Sequence, residues 1–328
     1  MIKIRFPFKY LLVVVFSILI FLLVGEVLIR LYLHSRIIYD IEMSRYSMAA
    51  KADSPNSKIE HVHKPNVRGK FMGVHLRTNS DGLRDDEYPV GKTGKYRIIF
   101  LGDSLTLGWG VEEKDTFEKI LESKLNQIRP TEILNFGIGN FNTEQEVNLF
   151  LEKGLKYEPD QAVLFYFIND AEPTPKKSKL WFLGYSQIIT FYWSRMHAVI
   201  NRFVPSTSFG GYYSNLYRED QPGWTQTMES FSALKKICAE RSIKLQVVLL
   251  PELHYLKEYP FKKEYQQVSA LLAALGIEHL DLTPFFKNIE NPMELWVAKD
   301  DAHPNAKAHR LIAEDSFDML SKPLQGKA

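Results

Sequence analysis

Apolar and polar positions along this chain fall into three regimes. From Tyr10 to Gly25 nearly every residue is apolar, and after Glu26 the run resumes through Val27-Leu28-Ile29, until Arg30 interrupts it before Leu31-Tyr32-Leu33. Extended past that one acid, the run reaches the ~20 residues that a membrane-spanning helix needs. From about Ile37 to Lys70 there is little periodicity, which reads as a stalk. Val74 to Leu76 alternates like a strand, and Asn79-Ser80-Asp81-Gly82 is turn chemistry. From Tyr96 onward, short continuous apolar runs alternate with stretches of helical spacing.

That last alternation predicts a β/α protein. Arg97 to Leu101 is a buried strand cut off by Gly102-Asp103-Ser104. Helical spacing follows from Thr116 to Ile128, closed by Pro130, and Glu132 to Phe136 is the next strand. Thr143 caps a helix through Leu155, with Glu146 at the capping-box position. Gln161 to Phe167 is a strand apolar on both faces, as in a parallel sheet. Then come a helix over Thr225–Arg241, a strand over Lys244–Leu250 and a helix over Lys263–Leu275 ended by Gly276. A strand over Ile277–Leu282 follows, and a helix from Pro304 to about Leu320 closes the chain. The expected fold is a three-layer α/β/α, flavodoxin-like domain with a mainly parallel central sheet, behind one N-terminal transmembrane helix. The expected segments are a cytoplasmic tip and signal-anchor over 1–36, a stalk and lead-in over 37–95, and the main domain over 96–328.

Charge gives the anchor a direction. Lys3, Arg5 and Lys9 precede the apolar run with no acid nearby, which favours a cytoplasmic N-terminus. No Ala-x-Ala cleavage site follows the run, so the segment reads as an uncleaved anchor with the domain periplasmic or extracellular. The alternative is a buried helix of a soluble protein.

In open α/β sheets, ligands bind beyond the carboxyl ends of strands, where Ser104 sits. A serine hydroxyl becomes a useful nucleophile when a histidine takes its proton and an acid orients that histidine. The chain offers such a pair late, in Asp300-Asp301-Ala302-His303. Read alone, Ser104 is better explained as a helix or turn cap; paired with the late Asp-x-x-His it is not.

Four ordered segments carry a resemblance to the SGNH (GDSL) hydrolases, of the membrane-anchored bacterial type. They are Gly102-Asp103-Ser104-Leu105, Asn135 to Asn140, Phe167-Ile168-Asn169-Asp170, and Asp300 to His303. The resemblance covers about Tyr96 to the C-terminus and implies an SGNH-like fold. It implies Ser104 as nucleophile, His303 as general base and Asp300, three residues before it, as the orienting acid. That spacing leaves Asp301 as a solvated neighbour. The implied oxyanion hole combines the Ser104 N–H, an N–H from Gly139 or Asn140, and the Asn169 side chain. Two positions depart from the family pattern, where glycine is usual: Phe167 in the third segment and Asn140 in the second. Asn tolerates positive φ best among non-glycine residues, so a backbone donor survives there.

The segment 171–223 does not fit the alternation. Trp181, Phe182, Tyr185, Phe191, Tyr192, Trp193, Phe203, Phe209, Tyr212, Tyr213 and Tyr217 fall within it. It reads as a cap over the site or as an insertion with its own small core. Lys179 to Val204 also has the spacing of an amphipathic helix suited to a membrane surface. Elsewhere, Arg84 is expected to pair with a carboxylate, Asp103 to hold the serine turn, and His309 to lie on the surface. His254 follows a strand end and is a candidate substrate contact.

The 328 residues suffice for one large domain with appendages. A net charge of +2 with no basic stripe argues against nucleic acid, and a single cysteine excludes an intrachain disulfide. His61, His63 and His75 lack the carboxylate spacing of a metal site, and no phosphate loop or dinucleotide fingerprint appears, so neither metal nor cofactor is expected. The expected activity is extracytoplasmic hydrolysis of acyl esters, above all O-acetyl groups on an envelope polysaccharide or lipid. Two alternatives stand beside it: an O-acyltransferase working with a membrane acyl-donor partner, and a carbohydrate-binding domain with a vestigial site.

Overall fold

The computed structural model describes residues 8–33, 36–175, 185–203 and 209–325. The chain opens with α1 (Phe8–Leu33) and α2 (Tyr39–Ala50), then two hairpins, β1 (Lys51–Asp53) with β2 (His61–His63) and β3 (Arg68–Phe71) with β4 (Val74–Arg77). The β/α part follows as β5 (Tyr96–Leu101), α3 (Ser104–Leu107), α4 (Phe117–Leu125), β6 (Thr131–Asn135), α5 (Thr143–Leu149) and β7 (Gln161–Tyr166). The aromatic insertion supplies α6 (Gln187–Phe203) and α7 (Phe209–Leu216). Then come α8 (Pro222–Glu240), β8 (Lys244–Leu249), α9 (Lys262–Ala274), β9 (Glu278–Asp281) and α10 (Thr283–Phe286). A last hairpin, β10 (Trp296–Ala298) with β11 (Asp301–Pro304), leads into α11 (Ala306–Gln325).

The central sheet has the order β6-β5-β7-β8-β9, and every neighbouring pair in it is parallel. All residues of β5 and β7 are buried, as strands covered on both faces must be. One apolar layer packs α5, α8 and α9 against one face, around Leu134, Leu164, Phe231 and Val268. The other packs α4 and α11 against the opposite face, around Phe100, Phe117, Phe165 and Ile312. Three layers result, with β5 inside the sheet between β6 and β7 and its carboxyl end leading to Ser104.

Helix α1 is long and apolar enough to cross a membrane, and its side chains face outward, Phe21 being 76% exposed. The segment read as a stalk is instead folded onto the domain. On α2, Glu42, Tyr46 and Ala50 follow one another at i, i+4 and i+8 and are buried. Tyr46, Phe71, Met72 and Leu76 close a third apolar cluster with Leu107 and Trp109, just beyond Ser104. The helix carries few strong hydrophobes, so its periodicity is faint in sequence; tertiary burial, not propensity, selects it.

Smaller differences have local causes. Asn142, not Thr143, caps α5 by accepting from the Gln145 N–H at 2.9 Å, and Glu146 is buried rather than part of a capping box. Asn305 caps α11 through bonds to Lys307 and Ala308, so Pro304 ends β11 instead of opening the helix. His309 lies in the core, not on the surface. Its Nδ1 accepts the Phe117 N–H at 3.0 Å and its ring stacks on Phe117. Burial pulls its pKa down to about 3, so it is neutral.

Because the lead-in segment completes the core beside Ser104, trimming the chain has a sharp boundary. A chain beginning at Ile37 is expected to fold, whereas one beginning at Lys51 loses α2 and is expected to melt far lower. Tyr46→Ala alone should cost about 3–5 kcal/mol, as a large ring removed from a packed core does. Denaturant unfolding followed by circular dichroism measures both.

Candidate functional site

Ser104 is the first residue of α3, whose N-cap is Asp103. Asp103 Oδ1 accepts the Leu105 N–H at 2.8 Å and holds the turn. The short helix ends at Gly108, with φ 76°, where a residue other than glycine is strained. Around that end wraps the guanidinium of Arg84, 1% exposed, donating to the carbonyls of Leu107, Gly108 and Val111 at 2.5–2.9 Å. The expected carboxylate partner is replaced by backbone: a buried fork of donors satisfies the carbonyls a four-residue helix leaves orphaned. Gly137 packs beneath, where a Cβ would stand 2.2 Å from the Leu107 nitrogen. The serine turn is thus fixed from both sides.

The C-terminal hairpin brings His303 to it. Ser104 Oγ lies 2.8 Å from His303 Nε2, and His303 Nδ1 donates to Asp301 Oδ1 at 2.5 Å. The acid on the histidine is therefore Asp301, not Asp300. Within β11 the side chains alternate, so residues 301 and 303 share a face while residue 300 precedes the strand. Asp300 Oδ2 accepts instead from the Tyr39 N–H at 3.4 Å, and Asp300 stands in the cavity wall. The second oxygen of Asp301 accepts the Trp109 indole N–H at 2.9 Å. Burial acts to raise the Asp301 pKa, but the bonds from His303 and Trp109 outweigh it and hold the carboxyl below its ordinary range. An ionised acid on Nδ1 fixes the tautomer in which Nε2 accepts the serine proton.

Three donors expected around the serine line one cavity of about 290 Å³: Ser104, Asn140 and Asn169. The Ser104 N–H opens α3 and has no helical partner. Asn169 gives one amide hydrogen to Asp103 Oδ2 at 3.1 Å and keeps the other. Asn140 adopts φ 67°, the left-handed region that Asn tolerates best among non-glycine residues. The Gly139 N–H is already committed, to the Tyr46 hydroxyl at 3.3 Å. The Asn140 N–H has no acceptor among the described residues.

The lead-in segment clamps this turn, which sequence reasoning missed. Lys51 Nζ donates to the Gly139 carbonyl at 2.6 Å and to Asn140 Oδ1 at 2.9 Å, and His61 Nε2 donates to the same carbonyl at 3.0 Å. On the other side of Gly139, the Tyr46 hydroxyl donates a hydrogen bond to His63 Nε2, whose Nδ1–H donates to the Gly82 carbonyl. The Gly139 carbonyl and the Asn140 N–H belong to one peptide unit. Two donors on its oxygen polarise that unit and sharpen its N–H as a donor. Burial pulls the half-buried Lys51 ammonium down to about 7, against the opposing charge of Glu60.

Behind Asn169 lie three buried acids, Asp103, Asp170 and Glu146. Burial first, and their mutual repulsion second, push Asp170 and Glu146 well above the usual carboxylate range. The front of the cavity is aromatic and polar: Tyr39, Phe167, Phe209 and Tyr213 stand with Glu172, Glu252 and His254. His254 bonds Glu252 through Nδ1 and packs on Trp296 and Phe209. From the aromatic insertion, α7 reaches the rim with Phe209 and Tyr213 while Tyr217 enters the core. Trp181 and Phe182 lie outside the described residues.

A model of the GDSL-like lipase/acylhydrolase family matches residues 100–311. No curated protein matches the sequence. Among solved structures, the chain is similar to TesA at 12% identity, over 70% of this chain and 99% of that one, with a TM-score of 0.47. It is also similar to the acetyl xylan esterase AlAXEase at 18% identity, over 68% of this chain and 99% of that one, with a TM-score of 0.45. A lipase/acylhydrolase from Enterococcus faecalis gives 13% identity, over 71% and 98% of the two chains, and a TM-score of 0.45.

Two substitutions separate the neighbouring acids. Asp301→Asn reverses the hydrogen-bond demand on His303 Nδ1 and should lower kcat by about 10⁴, the effect of that change in a serine triad. Asp300→Asn should leave kcat within a few fold. The clamp has its own signature. Lys51→Met is expected to lower kcat about tenfold with KM little changed. It should also remove a decline in kcat above pH 7, because the charged form that polarises the peptide is the form lost as pH rises through about 7. Steady-state kinetics across pH on a chromogenic ester test all three statements.

Proposed function

Because the chain belongs to the GDSL-like lipase/acylhydrolase family and is an ester hydrolase of that type, we propose that Ser104 is its nucleophile, in a Ser104–His303–Asp301 triad. The observation that carries this reading is the continuous relay from Ser104 Oγ through His303 to Asp301, at 2.8 Å and 2.5 Å, opening on one cavity. His303 Nε2 takes the proton as Ser104 Oγ attacks the ester carbonyl. The carbonyl oxygen, now negative, is met by the N–H groups of Ser104 and Asn140 and by the Asn169 amide. Each such donor is worth a factor of about 10²–10³ in kcat. The tetrahedral intermediate collapses as protonated His303 gives its proton to the leaving alkoxide. Water, deprotonated by His303, then hydrolyses the acyl-enzyme and frees the acid.

The substrate class follows from the cavity and from where the chain leaves the membrane. A volume of about 290 Å³, with aromatic faces beside Glu172, Glu252 and His254, suits a small acyl group on a hydroxyl-rich alcohol such as a sugar. We read α1 as an uncleaved anchor with the domain on the extracytoplasmic side, from the basic residues at the N-terminus. Tyr39, in the cavity wall, follows the end of α1 at Leu33 by six residues, at most about 20 Å of chain. The ester is therefore one held close to the membrane face, an O-acetylated envelope glycan or a lipid.

One feature favours acyl transfer as a second reading. His254, oriented by Glu252, is a further histidine–carboxylate pair on the same cavity. It can deprotonate an acceptor hydroxyl while His303 serves Ser104, passing the acyl group from a membrane donor protein to a sugar.

With p-nitrophenyl acetate and the full chain, Ser104→Ala and His303→Ala should each remove the esterase activity, by 10³-fold or more. A folded Ser104→Ala variant that keeps its rate would overturn the triad. Product analysis with an acetylated oligosaccharide decides between the readings: free acetate marks hydrolysis, and an acetylated acceptor marks transfer.

A further inference from the structure

Two cavities meet where α1 ends. The first, of about 600 Å³, is lined by the cations Arg30, Arg36, Arg45 and Lys70, over a floor that includes Leu33 and Ile41. Glu42 is the carboxylate among its lining residues, and it is already committed: one oxygen holds Arg45 at 2.5 Å and the other accepts the Met72 N–H at 2.8 Å. The second, of about 530 Å³, is an apolar groove between α1 and α6, lined by Phe21, Leu22, Leu28 and Tyr32 with Ile188 and Tyr192. The two are continuous along both helices: Ile29 lines the groove and Arg30 the basic cleft, and likewise Ile188 and Gln187. The Arg36 guanidinium sits 4.4 Å from the Tyr32 ring and bridges them.

The junction is built to stay in place. Glu26, on α1, accepts the Gln187 and Ile188 N–H groups at 2.9 and 3.2 Å and the Ser186 hydroxyl at 2.9 Å. An acid on an apolar span is thereby spent on capping α6. Arg30 bonds Glu26 at 2.8 Å and the Tyr185 carbonyl at 2.9 Å. Tyr192 and Trp193 on α6 are 63% and 59% exposed, the ring type that collects at head-group level. On the reading of α1 as an anchor, these cations lie on the translocated flank, where Lys and Arg are scarce.

A long apolar groove that runs into a cationic cleft at head-group depth matches one kind of ligand. We propose that this junction binds an anionic membrane phospholipid, its acyl chain along the α1–α6 groove and its phosphate among Arg30, Arg36, Arg45 and Lys70. The inference rests on the anchor reading given above and concerns a site separate from the Ser104 cavity. Such a lipid ties α6 and α2 to the span and sets the height of the catalytic cavity above the bilayer.

The test uses the full chain. Co-sedimentation with phosphatidylcholine vesicles establishes the anchor; a chain left in the supernatant overturns the anchor and this proposal together. The detergent-solubilised chain is then titrated with phosphatidylglycerol, with phosphatidylcholine and with inorganic phosphate, following the thermal midpoint. Phosphatidylglycerol should raise the midpoint saturably, and the other two should not. The combined Arg36→Gln, Arg45→Gln and Lys70→Gln variant should bind phosphatidylglycerol on the order of 100-fold more weakly, about fivefold per cation. Its p-nitrophenyl acetate turnover should equal that of the parent. Should that variant fold poorly, Lys70→Gln alone, at an exposed position, should still show the fivefold loss. An equal response to phosphatidylcholine, or unchanged affinity in the variants, overturns the proposal. A response to inorganic phosphate alone reassigns the cleft to a free anion and also overturns it.

Discussion

The contact between Ser104 Oγ and His303 Nε2 joins residues 199 apart in sequence, and the rest of the structure serves to keep it near 2.8 Å. Neither partner sits on a strand of the central sheet. Ser104 stands on a four-residue helix just past β5, and His303 on a two-stranded hairpin outside the sheet. Short elements of this kind have little stability of their own. Arg84 therefore does much to hold the serine turn. It gathers the carbonyls at the end of α3 and is buried to do so, at a desolvation cost that only several good acceptors offset. Trp109 completes the tie. Its indole bonds Asp301 from the serine side, so the two halves of the site are linked twice.

A second dependence runs through Gly139. Its carbonyl receives Lys51 and His61, its N–H reaches Tyr46, and the neighbouring N–H has no acceptor among the described residues. All three partners come from the lead-in between the apolar helix and the β/α domain. The conformation of Asn140 is strained for most residues, and a strained turn persists only where its surroundings over-determine it. The lead-in supplies that over-determination. It is part of the site's scaffold and not a slack stalk.

Much of this was legible in the sequence, and the misses share a cause. The strands of the sheet, their order of appearance and the serine at a carboxyl end follow from short apolar runs and turn residues, because local pattern dictates them. Ser104, His303, Asn140 and Asn169 do share one cavity. Spacing to His303 points to Asp300, whereas strand alternation points to Asp301. Once Asp301 to Pro304 pairs as a strand, residue 301 must share the face of residue 303. Arg84 was rightly expected to be paired, but its partners are carbonyls, which no sequence pattern displays. His309 looked like a surface residue because helical spacing says nothing about what packs on the helix from another layer. Lys51, His61 and Tyr46 lie in a stretch of weak periodicity, and their partner is backbone nearly ninety residues away.

The buried acids behind Asn169 give the site its remaining character. Glu146 has no hydrogen-bond partner on either carboxyl oxygen among the described residues, and Asp170 has none on one. Uncompensated charge there would be expensive, so burial pushes both groups well above the usual carboxylate range, toward the neutral form. Shifted in that direction they add less negative potential beside Asn169, whose amide Asp103 orients at 3.1 Å. Asp103 itself is pushed upward by burial, while bonds from Leu105 and Asn169 and the charge of His303 draw it back. The site thus places Asp301, held below the ordinary carboxylate range, behind the histidine, and sets the acids whose pKa burial raises, Asp170 and Glu146, behind Asn169.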